Sequence, residues 1–163
     1  MKQMTEQMPF CLCDVFTGIE HGRQLMELGC DTNTADLSWD YYLNVYNDDY
    51  TTAYQPKISF TPYRFNEGRK YNHPMQPPPS LPAWSLSALL QLMPEIIYTD
   101  DDNNNQIYKM QVYNHDGQCC CDYVGELDND SLICFASNSY IASAFQMICW
   151  LFENKKDLNS CGE

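Results

Sequence analysis

Basic side chains are scarce in this chain, in which nine Lys and Arg stand against 22 Asp and Glu for a formal net charge of -13. Such a field repels phosphate backbones and anionic bilayers, which excludes non-specific binding to nucleic acid and adsorption to acidic membranes. Histidine is scarcer still. Only His21, His73 and His115 are available for imidazole chemistry, and none stands in a catalytic motif. The seven glycines never take the spacing of a dinucleotide fold or a phosphate-binding loop, so no cofactor is expected. Long apolar runs are missing too: nothing approaches the roughly 20 residues of a membrane span, and residues 1–17 hold no signal-like apolar core. The expectation is a cytoplasmic protein.

What is present argues for a folded chain. Hydrophobic residues make up 44% and aromatic residues 13% of the 163 positions, enough large side chains to offset the entropy of ordering. This length predicts one compact domain, 1–163, with frayed termini at 1–10 and 157–163. The nine cysteines are odd in number and sparser than in secreted disulfide scaffolds, which predicts reduced thiols. The acidity has two readings, solubility alone or attraction to a basic partner.

Local signals predict an α+β fold, mainly an antiparallel sheet with about three helices packed on it, over 18–28, 85–93 and 139–156. Thr17 and Glu20 have the spacing of a capping box, and Gly29 suits the left-handed residue that ends a helix. Leu37 to Tyr54 reads as a hairpin broken at Asn47-Asp48-Asp49, and Ile58 to Phe65 as a further strand that Pro56 and Pro62 place at a sheet edge. The proline-rich segment Asn72 to Pro82 predicts a semi-rigid connector. Ser85 caps a short helix with Leu86, Leu89, Leu90 and Met93 on one stripe, ended by Pro94. Glu95 to Thr99 reads as a strand and Asp100 to Asn105 as a solvated turn. Ile107 to Tyr113 and Cys119 to Val124 flank Asn114-His115-Asp116-Gly117 as a hairpin. After the acidic turn Asp128-Asn129-Asp130 come a strand at Leu132 to Phe135 and a long helix bearing Ile141, Ala144, Phe145, Ile148, Leu151 and Phe152.

Several groupings resemble sites and fail on spacing. Cys11 with Cys13 and Cys119 with Cys121 leave only one intervening residue, too few for the chain to turn both sulfurs onto one zinc, so no metal is expected. Asp100, Asp102 and Asn104 imitate a calcium loop, but Asn105 and Gln111 stand where glycine and glutamate belong. His115, Asp116 and Cys119 offer the parts of a nucleophilic triad in one turn, whereas such triads are assembled from distant segments. Two groups remain as candidate binding residues. Lys57, Arg64, Arg69 and Lys70 are interleaved with Tyr63 and Tyr71, which suits a nucleotide-like anion held by Arg forks and a stacked ring. Asp100, Asp101, Asp102, Asp128 and Asp130 would face a basic partner.

Two stretches, Pro82-Ala83-Trp84-Ser85-Leu86-Ser87-Ala88-Leu89-Leu90-Gln91-Leu92-Met93-Pro94 and Ala144-Phe145-Gln146-Met147-Ile148-Cys149-Trp150-Leu151-Phe152-Glu153-Asn154-Lys155, carry a resemblance. They resemble small proteins without assigned activity encoded by phages and prophages of gut Bacteroidales bacteria. The resemblance implies a bacterial cytoplasm during infection or lysogeny, and transfers no active site. It does not extend to Cys119-Cys120-Cys121. The combined expectation is a non-enzymatic acidic protein that binds a protein partner, such as an inhibitor of a basic host protein in nucleic-acid handling or defence. Direct nucleic-acid and membrane contacts are not expected. The alternatives are a small-ligand binder using Lys57 to Tyr71, and an enzyme whose groups are assembled without a local motif.

Overall fold

The computed structural model describes residues 15–44, 53–62, 78–101, 104–154 and 159–160. Its elements run α1 (Ile19–Glu27), β1 (Leu37–Asn44), β2 (Ala53–Ser59), β3 (Leu81–Ala83), α2 (Leu86–Gln91), β4 (Ile96–Asp101), β5 (Asn104–His115), β6 (Gln118–Gly125), β7 (Ser131–Ser137), α3 (Tyr140–Glu153) and β8 (Asn159–Ser160). They form two antiparallel sheets, of order β2-β1-β3 and β7-β6-β5-β4-β8, an α+β architecture as the sequence predicts.

The helices form where local signals are strong. Ser85 caps α2 by accepting the Ala88 N–H, and Ser139 caps α3 by accepting that of Ala142. Helix α1 ends at Gly29, whose φ of +85° lets the Gly29 and Cys30 amides return to Met26 and Leu25. Its start differs from the predicted capping box. Gly18 is the N-cap without a side-chain bond, the Thr17 hydroxyl accepts the Trp84 N–H at 2.9 Å, and Glu20 pairs with Arg23. A distant backbone amide takes the oxygen that would have served the helix.

Two strand expectations are corrected. Ile58 does not begin a new strand: it lies next to the end of β2, the antiparallel partner of β1, opposite Trp39, while Phe60 lies beyond the ladder and is 78% exposed. Residues 63–65 and Asn47-Asp48-Asp49 lie outside the described residues. Asp100 to Asn105 is not all turn, because Asp100 pairs with Asn105 and Asp101 with Asn104 within the β4–β5 ladder. Near the C-terminus, Asn159 and Ser160 pair with Tyr98 and Ile97 on the outer side of β4. The hairpin at Asp116-Gly117 forms as predicted, with positive φ at both residues, the turn that matches the twist of paired strands.

The larger core joins all three helices to β4, β5 and β6 through Leu25, Leu89, Ile97, Tyr108, Tyr123 and Met147, with Trp84 among them. Helix α3 lies on β6 and β7, and α1 packs against β3. A smaller cluster of Phe16, Leu37 and Ala83, with Trp39 and Ile58 against it, closes the three-stranded sheet.

Candidate functional site

Strand β6 separates two environments. Cys121 and Tyr123 face the helices, with the Cys121 thiol directed to Met93 Sδ and the Tyr123 hydroxyl donating to the Pro94 carbonyl at 2.6 Å. Alternation places Cys120 and Asp122 on the opposite face. There the buried Asp122 carboxylate accepts Tyr113 O–H at 3.0 Å and Ser131 O–H at 2.6 Å, and Tyr113 Oη lies 4.0 Å from Cys134 Sγ. This is a carboxylate, phenol and thiol cluster that the cysteine run alone did not reveal. Its only trace in the sequence is Asp122 alternating with Cys121 and Tyr123.

The cluster is chemically quiet. Its hydrogen bond to Asp122 and then burial push the Tyr113 phenol well above its ordinary range. Burial and then Asp122 push the Cys134 thiol up, burial takes Cys121 to about 12, and burial takes Cys30 to about 11. An attacking cysteine needs the reverse, a thiolate favoured by cationic neighbours. No group of three metal-binding side chains occurs among the described residues. His115 Nε2 lies 3.5 Å from Asp116 Oδ2 in a solvated turn and pairs across the ladder with Gln118, not with a cysteine.

The predicted binding residues separate into described and undescribed ones. Lys57 is exposed on β2, opposite Asp40. Tyr63, Arg64, Arg69, Lys70 and Tyr71 lie outside the described residues, as does Asp102. Asp100 and Asp101 end β4, and Asp128 and Asp130 are exposed in the β6–β7 turn. The up-and-down order of β4 to β7 brings these two acidic tracts to the same end of the sheet. Gly125, where β6 turns, is level with Tyr108, and Asn104 lies four residues further along β5. Asn104 therefore lies roughly 13 Å beyond the level of Gly125, where β6 ends. The β6–β7 turn is well defined. The Gly125 N–H donates to the Asp130 carbonyl at 2.8 Å, Asp130 N–H to Asp128 Oδ1 at 3.2 Å, and Asn129 takes a φ of +58°.

A titratable group outside this end gives a pH prediction. His21 on α1 stacks on Phe145 of α3, ring centroids 4.3 Å apart, and its buried Nδ1 has no hydrogen-bond partner among the described residues. Burial lowers its pKa from 6.5. An unfolded chain then binds a proton that the folded chain refuses, so stability falls as pH drops below 6.5 and levels once the folded value is passed. Urea denaturation from about pH 7.5 to about pH 5 is expected to show this loss in the native sequence and a smaller one in His21→Leu. Parallel curves for the two proteins would contradict it.

No helix among the described residues is long and apolar enough to cross a membrane. Compared with protein-family models, curated proteins and solved structures, the chain matches none.

Proposed function

We propose that the protein is a non-enzymatic acidic binding protein that presents one carboxylate-rich end of its larger sheet to a basic protein partner. The observation that carries this reading is the convergence of the β4–β5 and β6–β7 turns at one end, with Glu126, Asp128 and Asp130 exposed there. Arg23 is paired with Glu20 at 2.9 Å and Lys109 with Glu126 at 2.7 Å, and, apart from Asp40 and Asp122, every carboxylate whose burial is described is exposed. A surface of one sign steers an oppositely charged partner and repels anionic competitors. The raised pKa of Cys30, Cys121 and Cys134 disfavours the thiolate at those three residues. In the phage or prophage setting suggested by the resemblance, the partner is a basic host protein in the bacterial cytoplasm.

The test combines capture from Bacteroidales host lysate with kinetics on the captured protein. Its association rate is expected to fall on the order of tenfold or more between low and physiological salt. The combined variant Glu126→Gln, Asp128→Asn and Asp130→Asn keeps the turn's acceptor at position 128, and should lower that rate without changing the melting temperature. A neutral partner surface, or an on-rate indifferent to salt, would overturn the reading.

A further inference from the structure

We draw no further inference here: the strongest candidate, the uncharged outer edge of β7 with Ile133 and Phe135 half-buried beside it, carries nothing because nothing in the structure shows what covers it.

Discussion

Replacing Trp84 with alanine is expected to lower the free energy of unfolding by about 3–5 kcal/mol, the range found when a large aromatic is removed from a packed core. Trp84 is fully buried and joins elements far apart in sequence. Its indole N–H donates to Thr34 Oγ1 at 3.0 Å, its backbone N–H to Thr17 Oγ1 at 2.9 Å, and its carbonyl accepts the Thr17 N–H at 2.9 Å. Thr17 in turn accepts the Trp39 indole N–H through its carbonyl, so one short segment ties the smaller sheet to the larger core. Alanine keeps the backbone bonds, but leaves a cavity among Leu25, Leu89 and their neighbours and withdraws the donor to Thr34. Phenylalanine fills part of that volume and should cost less. At the lower end of the roughly 5–15 kcal/mol by which such domains are stable, that loss brings the alanine variant near unfolding. Chemical denaturation checks this, and a loss below about 1 kcal/mol would show that Trp84 is not the pivot described.

The elements legible in the sequence are those fixed by neighbours in the chain. Ser85 and Ser139 cap α2 and α3 with their own hydroxyls, and Asp116-Gly117 turns a hairpin by its own φ angles. The local signal fails where a distant group competes. Thr17 has the composition of a helix cap, yet its hydroxyl is taken by the amide of Trp84, 67 positions away. Ile58 has the composition of a new strand, yet its pairing with Trp39 places it in an earlier one. Asp100 and Asp101 look like turn residues until Asn105 and Asn104 are seen opposite them.

The same division holds for function. Acid content was plain in the composition, but strand order alone puts the β4–β5 and β6–β7 turns at one end of the sheet. Asp122 carried no signal beyond alternation, since its partners Tyr113 and Ser131 come from the strands on either side. Cys134 is one thiol among nine, and its place beside Tyr113 follows only from the strand order.

Substituting Gly22 with alanine is expected to destabilise the protein by about 1–3 kcal/mol, although the exchange ordinarily favours a helix by about 1 kcal/mol. Gly22 sits within α1, where the helix touches β3, and a Cβ there would fall far inside van der Waals distance of the Pro82 carbonyl oxygen. That oxygen is not the tip of a flexible side chain. Pro82 is held in register with Ser38 of β1, and the reciprocal Thr17–Trp84 bonds fix the chain just beyond it. Helix α1 must therefore tilt away, opening the contacts that bury Leu25. For a chain of this size the loss corresponds to a fall of roughly 2–4 °C in melting temperature per kcal/mol. Gly29 supplies the control on the same helix. A Cβ at Gly29 meets nothing within 4 Å, so Gly29→Ala bears only the strain of φ +85°. That strain is on the order of 1 kcal/mol. Thermal melts should rank native above Gly29→Ala, and Gly29→Ala above Gly22→Ala. A neutral or stabilising Gly22→Ala would show that α1 is not seated on β3 through this glycine.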